Sequence, residues 1–275
     1  MNQQELLPTF APSDKVQVFS SGGGTQSCCI AALIVQGKLP KPDICVIADT
    51  GYENRKTWEY LDSVVRPALQ GVGVEVCKIL ASEWSAPWVR TNDPAFCQSG
   101  HLMLGCFTDM NGCVSKLSGY CSHAWKVEPI DRWLSQERGL TRSKFQKWIG
   151  FSRDEVKRIF RMAKGEEYGK GLIRFPLLTD CPTTRHEAIR IVERMGWPTP
   201  PRSRCWMCPN QSDYEWREIH NDSEMWKLAT EFEDAIRARD PHAFCHKSGV
   251  PLREVDLTEE DDLFAGKCES GGCFL

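Results

Sequence analysis

Several features that define other protein classes are missing from this 275-residue sequence. No uninterrupted apolar run approaches the roughly 20 residues of a membrane-spanning helix, so we expect no membrane association. The N-terminal residues lack the basic start and apolar core of a secretory signal, so we expect a cytoplasmic protein. The net charge of −3 gives no global field for polyanions. A nucleic-acid partner is therefore compatible with the sequence but not implied by its charge.

Disorder and histidine-based metal motifs are missing as well. A composition that is 41% hydrophobic and 26% charged is that of an ordinary globular protein. Cysteine, in contrast, is abundant, with 14 residues. Because cytosolic proteins rarely keep disulfides, this surplus indicates metal binding, redox chemistry or buried thiols. Four cysteines fall within apolar strand or helix patterns and are predicted to be core residues: Cys28, Cys29, Cys45 and Cys77.

One stretch near the N-terminus organises the chain. Residues 16–20 are typical of a buried strand, and apolar positions recur at helical spacing after residue 27. The turn between them consists of Ser20, Ser21, Gly22, Gly23, Gly24, Thr25, Gln26 and Ser27. Backbone N–H groups, hydroxyl donors and the positive end of a helix dipole meet at such a turn, which predicts a phosphate or pyrophosphate site. The alternative is a glycine-rich turn that binds nothing. The spacing fits neither a Walker loop nor a dinucleotide fingerprint.

Strand and helix patterns alternate along the first half of the chain. Further strands are predicted at 44–48 and 72–79, so we expect an α/β fold with a doubly wound, mostly parallel sheet and helices on both faces. Residues 81–120 lose this periodicity and form a predicted irregular, cysteine-rich insertion. The predicted boundaries are an irregular lead-in at 1–14, an α/β domain at 15–210 and a helical C-terminal extension at 211–275 with a cysteine-containing tail.

Two charged side chains follow predicted strands. Asp49 lies at the carboxyl edge, where open α/β sheets bind ligands, and would accept hydrogen bonds from a ribose or adenine or hold Mg²⁺ through water. Its alternative role is that of a helix cap or turn former. Arg153 follows a strand predicted at 145–151 and would clamp phosphate oxygens. Ser152 and Glu155 have the spacing of a capping box, which predicts a helix over 153–163.

A Cys-x-x-Cys pair, Cys205 and Cys208, presents two thiolates to one centre. Zinc sites, iron–sulfur clusters and redox dithiols all use this spacing, and the residues alone leave the three alternatives open. One such pair supplies only half of a tetrahedral site.

Four segments in order resemble the phosphoadenosine phosphosulfate reductase family of the PP-loop adenine nucleotide α-hydrolase superfamily. The turn at 20–27 is similar to the family's Ser-Ser-Ser-Phe-Gly-x-Gln-Ala/Ser loop and lacks the lysine and aspartate of the ATP pyrophosphatase form. Residues 49–52 match its Asp-Thr-Gly-Tyr segment, and residues 126–129 match its Lys-Val-Glu-Pro segment. The fourth segment is the later Cys-x-x-Cys pair. The resemblance spans roughly residues 16–210.

The resemblance implies a HUP-like fold that binds ATP or a sulfonucleotide. Beyond the loop, the expected contacts to the nucleotide and its anionic groups are Asp49, Thr50, Gly51, Lys126 and Arg153. Lys126 would act as a point charge on a phosphate or sulfate.

The iron–sulfur branch of the family implies a [4Fe–4S] cluster bound by Cys121, Cys205 and Cys208, with zinc as the alternative metal. In that branch two adjacent cysteines precede the Lys-Val-Glu-Pro segment, but here Tyr120 occupies the first position. This pair therefore supplies one ligand at most. The candidates for a fourth ligand are Cys181, Cys268 and Cys273. Cys273 also loosely matches the C-terminal catalytic cysteine of the reductases.

Two reactions fit this frame. In one, the Cys273 thiolate attacks the sulfur of a sulfonucleotide and a thioredoxin-like reductant resolves the product. In the other, ATP adenylates a tRNA base or activates a DNA phosphate, and sulfur supplied by a cysteine desulfurase replaces the oxygen. A third hypothesis is a non-catalytic, nucleotide-binding module that zinc stabilises.

Overall fold

The computed structural model describes residues 14–89, 93 and 95–258. These residues form two compact units, one of 14–84 with 129–203 and one of 85–128 with 204–258. The sequence instead predicted boundaries at 15–210 and 211–275 and placed 81–120 inside the first domain. The difference arises because a strand of the insertion pairs with a strand near residue 243, which joins the two later stretches into one unit.

Eight strands and eleven α-helices are present in the described part of the chain. The strands are β1 (Val16–Ser20), β2 (Ile44–Asp49), β3 (Glu75–Leu80), β4 (Phe107–Met110), β5 (Cys113–Lys116), β6 (Phe145–Trp148), β7 (Ile173–Arg174) and β8 (Ala243–Phe244). The helices are α1 (Thr25–Val35), α2 (Arg55–Tyr60), α3 (Arg66–Gly71), α4 (Ala81–Trp84), α5 (Glu128–Gln136), α6 (Val156–Ala163), α7 (Glu166–Gly169), α8 (Pro176–Thr179), α9 (Arg185–Arg194), α10 (Asp213–His220) and α11 (Ser223–Arg237). No helix of the described residues is long and apolar enough to cross a membrane.

The first unit contains a parallel five-stranded sheet in the order β3-β2-β1-β6-β7. The central strand places Phe19 between Cys45 of β2 and Trp148 of β6. The order reverses direction after β1, which is the arrangement of doubly wound sheets, and their ligands bind at the carboxyl end of the strands near that reversal. The predicted mostly parallel sheet is confirmed.

Helices cover both faces of this sheet because alternate strand residues point to opposite sides. On one face, Phe19 and Trp148 belong to a buried cluster with the apolar residues of α1 and α9. On the other face, Val18 and Val46 pack with Ile130 and Leu134 of α5. This two-sided burial explains why β2 is a nearly continuous apolar run rather than an alternating pattern.

The second unit contains an antiparallel sheet in the order β5-β4-β8. Its hairpin turns at Asn111 and Gly112, which both have positive φ, as a tight two-residue β-turn requires. The prediction of an irregular insertion over 81–120 is therefore wrong for this segment, because its short strands are too exposed to show an apolar period. Two helices, α10 and α11, follow, and Asp222 starts the second by accepting a hydrogen bond from the Met225 N–H at 3.1 Å.

Candidate functional site

The glycine-rich loop joins the central strand β1 to α1, as predicted. Beyond β1, the Ser21 N–H donates to the carbonyl oxygen of Val46 at 3.0 Å. Two hydroxyl oxygens then accept hydrogen bonds from the loop itself: Ser27 Oγ from the Gly22 N–H at 3.1 Å, and Ser21 Oγ from the Gly23 N–H at 3.3 Å. The two serine oxygens thus stabilise the loop by accepting hydrogen bonds from its backbone, and their hydroxyl protons stay available to donate to a bound oxygen.

The first turn of α1 has unsatisfied donors. In the part of the chain that the structure describes, no acceptor bonds the backbone N–H groups of residues 24–27. Gly24 is the N-cap and has no side chain to cap the helix, and the first turn carries no carboxylate. Helix N-termini usually satisfy these donors with a Ser, Thr, Asp or Asn cap. The uncapped terminus and its dipole therefore offer a site for an anion.

Close packing beneath the loop explains one glycine. Gly23 has φ +72°, and a Cβ built there would lie 2.9 Å from Leu61 Cδ1 and from Thr57 Cγ2. The hydroxyl of Thr57 is buried and has no hydrogen-bond partner among the described residues. Gly22, in contrast, has open space around its Cα. The backbone at Gly23 thus needs both the conformation and the small size of glycine.

The segment after β6 packs against the start of α1. The Gln26 Nε2 amide donates to Ser152 Oγ at 3.3 Å and to Glu155 Oε2 at 3.1 Å. The predicted helix over 153–163 is wrong at its start, because α6 begins at Val156. The Ser152 N–H and hydroxyl do donate to Glu155, but that carboxylate also bonds Gln26 and Arg158 instead of completing a helix cap. Arg153 is exposed beside this contact.

Asp49 acts in the structure as a turn former. Its Oδ1 accepts a hydrogen bond from the Gly51 N–H at 2.9 Å, and its Oδ2 lies 2.7 Å from the Lys78 Nζ. Thr50 continues the turn by accepting from the Tyr52 N–H at 3.1 Å. Lys78 also lies over the Trp58 ring, at 3.7 Å from its centroid. Both oxygens of Asp49 thus have protein partners, and its contact with a nucleotide stays a prediction.

The predicted metal ligands of the second unit are half-buried: Cys121, Cys205 and Cys208. The Cys208 N–H donates to the Cys205 carbonyl oxygen at 3.0 Å, so the Cys-x-x-Cys pair forms a tight turn. Lys126 lies in the same unit, in a π-helical turn that spans His123–Val127. Among the described residues, no three His, Cys, Asp or Glu side chains are gathered closely enough to hold a metal ion. The ligand set therefore stays a prediction.

The three candidates for a fourth ligand differ in where they lie. Cys181 belongs to the first unit, where burial raises the pKa of its thiol. Cys268 and Cys273 lie outside the described residues. The catalytic role predicted for Cys273 is therefore not addressed by the structure.

Two further cysteines meet in the second unit. Phe107 of β4 pairs with Phe244 of β8, and this antiparallel register puts Cys106 opposite Cys245. Both are completely buried. A hydrogen bond with Cys106, together with burial, raises the pKa of the Cys245 thiol, and the nearby Cys208 acts in the same direction. Sequence reasoning missed this pair because no local spacing connects residues so far apart along the chain.

Cys97 differs from the buried core cysteines because the pKa of its thiol is lowered. Hydrogen bonds from Ser99 Oγ, 3.0 Å away, and from the Tyr120 hydroxyl, 3.5 Å away, lower the pKa of Cys97 to about 6. A thiolate at neutral pH is a nucleophile and a metal ligand. The same contact engages Tyr120, the residue that replaces the first of the two adjacent cysteines in the iron–sulfur branch.

Alkylation with iodoacetamide, followed by mass spectrometry of the peptides, should therefore show a midpoint near pH 6 for Cys97. Above that pH the thiolate dominates, so its rate of modification reaches a plateau by neutral pH. The substitution Ser99→Ala removes one donor to the charged sulfur and should raise the midpoint by about one pH unit. Cys77, whose pKa burial raises to about 11, serves as the internal comparison. An unshifted midpoint for Cys97 would contradict the geometry.

Comparison with known proteins identifies no family. No protein-family model and no curated protein matches the chain. A solved structure that is similar to it is the U34-tRNA thiolase NcsA from Methanococcus maripaludis with its [4Fe–4S] cluster. The sequence identity is 14%, the TM-score is 0.45, and the match covers 95% of this chain and 83% of that one. A similarity at this level carries no argument about activity.

Proposed function

We propose that this chain is an ATP-binding enzyme of the PP-loop type that transfers sulfur to a nucleic acid. The observation that carries the proposal is the uncapped start of α1, where the N–H groups of residues 24–27 have no partner in the described chain. A triphosphate offers the oxygens that such donors bind. The loop lies at the carboxyl end of the central strand, which is where doubly wound sheets bind nucleotides.

The residues of the loop have separate tasks in this proposal. Gly23 and Gly24 let the phosphates approach the backbone, and Ser21, Thr25 and Ser27 supply hydroxyl protons. Gln26 is held by Ser152 and Glu155, which fixes the orientation of the first helical turn. Arg153, next to Ser152, supplies a guanidinium for phosphate oxygens. Transfer of AMP from ATP to a carbonyl or phosphate oxygen would release pyrophosphate. Sulfur would then displace the adenylated oxygen, which leaves as part of AMP.

The cysteines of the second unit support a thiolate-bound cluster. Cys121, Cys205 and Cys208 are soft ligands in one unit, and the tight turn of the Cys-x-x-Cys pair is compatible with two thiolates on one metal centre. When bound, a [4Fe–4S] cluster with three protein ligands supplies an iron that can carry sulfur. Tyr120, which donates its hydrogen bond to Cys97, leaves Cys121 as the single cysteine of its segment. This favours sulfur transfer over the reductase reaction.

Reduction of a sulfonucleotide is the second candidate, and the loop sequence favours it. Ser20, Ser21, Gly24 and Gln26 match the reductase loop, and the lysine and aspartate typical of ATP pyrophosphatases are missing. In that reaction Cys273 would be the nucleophile and a thioredoxin-like protein the reductant.

The two candidates are separated by their products. Protein purified without oxygen is incubated with MgATP, a sulfide source and tRNA or DNA, or alternatively with a sulfonucleotide and thioredoxin. We expect AMP and pyrophosphate that depend on the nucleic acid. Release of sulfite from the sulfonucleotide would favour reduction instead. Bound zinc without sulfide, together with no turnover of either nucleotide, would favour the non-catalytic module.

A further inference from the structure

The first unit carries a cluster of exposed cations on two neighbouring helices. Residues 153–164 contain five basic and two acidic side chains, although the whole chain is negatively charged. We define the basic surface as the exposed cations of α6, α9 and the residues that flank α6: Arg153, Lys157, Arg161, Lys164, Arg190 and Arg194. In the described residues none of these six forms an ion pair.

Several other cations of the same unit form ion pairs. Arg138 contacts Glu75 at 2.6 Å, Arg142 contacts Glu167 at 2.6 Å, and Arg174 contacts Asp180. Arg158, on the inner side of α6, contacts Glu155. The cations of the basic surface, in contrast, are available to an anionic partner outside the chain.

The parts of the basic surface are held together by backbone contacts. The Arg153 N–H donates to the Thr183 carbonyl oxygen at 2.9 Å, and the Arg185 N–H donates to Asp154 Oδ2 at 2.9 Å. Hydrogen bonds from Thr184 lower the pKa of Glu187, and the charges of Arg153 and Arg190 act in the same direction. The start of α6 and the start of α9 thus lie side by side.

The shape of the basic surface fits a polymer better than a single phosphate. Arg190 and Arg194 are one turn apart and, together with Glu187, line a groove of about 330 Å³ along α9. Lys157 and Arg161 repeat this one-turn spacing on α6, so cations recur every 6 Å or so along each helix. A small anion would need the cations to converge on one point. A row of cations matches the repeated charges of a polynucleotide backbone.

Two apolar side chains interrupt the cations on α6. Val156 is 47% exposed and Phe160 is 43% exposed, one turn apart. An exposed aromatic ring between cations is the arrangement on which unpaired bases stack. The basic surface also adjoins the glycine-rich loop, because Arg153 follows Ser152, the partner of Gln26. A polynucleotide on this surface would thus lie next to a nucleotide in the loop.

We infer that the basic surface binds the phosphate backbone of a polynucleotide. This surface would be the binding site for the nucleic-acid acceptor of the proposed function. The reaction on the bound polynucleotide rests on that proposed function, whereas the binding itself does not. The shared chemistry is a sugar–phosphate backbone, and an RNA probe and a DNA probe distinguish its two sources.

The test uses the full-length chain and three double variants. Lys157→Ala/Arg161→Ala and Arg190→Ala/Arg194→Ala remove two cations each from the basic surface. The matched control is Lys38→Ala/Lys41→Ala, which removes two exposed cations between α1 and β2. Binding to labelled tRNA and to duplex DNA is followed by fluorescence anisotropy over a salt series from about 50 to 200 mM. Thermal melting and ATP titration establish that each variant folds and keeps its loop.

Each basic-surface variant should weaken polynucleotide binding by about tenfold or more. The slope of log affinity against log salt concentration should become shallower by roughly one to two, because each lost phosphate contact removes about 0.7 to 0.9 from it. The control should leave both values unchanged, and the probe that binds more tightly identifies the source. Equal affinity and slope in all four proteins, or no binding of either probe, would overturn the inference. So would binding to anionic vesicles instead of nucleic acid. Polynucleotide binding without nucleotide turnover would refute the proposed function alone.

Discussion

Replacement of Gly23 by alanine should weaken ATP binding by about 100-fold or more. Alanine at φ +72° carries a strain of roughly 1–2 kcal/mol, and its Cβ would lie 2.9 Å from Leu61 and Thr57, which forces the loop to move. Movement of the loop separates several N–H donors from the phosphates, and each hydrogen bond to a charged group contributes about 1.5–3 kcal/mol. Calorimetric titration with MgATP measures the loss.

Gly22→Ala is the matched control for this prediction. The neighbouring glycine has no heavy atom within 4 Å of a built Cβ. Alanine there should bind ATP within about threefold of the parent chain, because neither strain nor collision opposes it. The melting temperatures of both variants distinguish a local change in the loop from general unfolding. Wild-type affinity in the Gly23 variant would show that the loop does not hold the nucleotide.

The parts of the fold that follow from local pattern were predictable from the sequence. The loop needs only a buried strand, glycines and a helix start in succession, so residues 20–27 could be placed without any long-range information. Parallel strands follow from the alternation with helices, and the observed order puts β1 at the centre. Even there, local signals compete. Glu155 has the spacing of a helix cap, but the packing of Gln26 against it decides its partner.

The parts that depend on distant pairing were not predictable. Cys106 and Cys245 face each other only because β4 pairs with β8, and no spacing along the chain announces such a contact. The same pairing moves residues 85–128 out of the α/β domain. The basic surface was hidden for another reason. In the sequence its cations look like those of any solvated helix, and only the fold shows that the start of α6 and the start of α9 lie side by side.

Anaerobic purification of the Cys205→Ser variant should yield protein that has lost nearly all its iron and acid-labile sulfide. In the proposed site a cluster held by three thiolates would be left with two, and serine is a poor ligand for iron–sulfur centres. Cys121→Ser should have the same effect, because Cys121 is the third proposed ligand. Iron content, sulfide content and visible absorbance measure the loss independently of any activity.

Two comparisons make this result specific. Cys113→Ser changes an exposed cysteine of β5 in the same unit and should leave iron and sulfide unchanged. Cys245→Ser tests the buried pair: if it removes iron while Cys121→Ser does not, then the pair beside Cys208 supplies the remaining ligands. Because bound metal stabilises the folded state, circular dichroism of each variant distinguishes a lost ligand from a lost fold. Full iron content in the Cys205 variant would refute the site, since both hypotheses about the other ligands depend on the Cys-x-x-Cys pair.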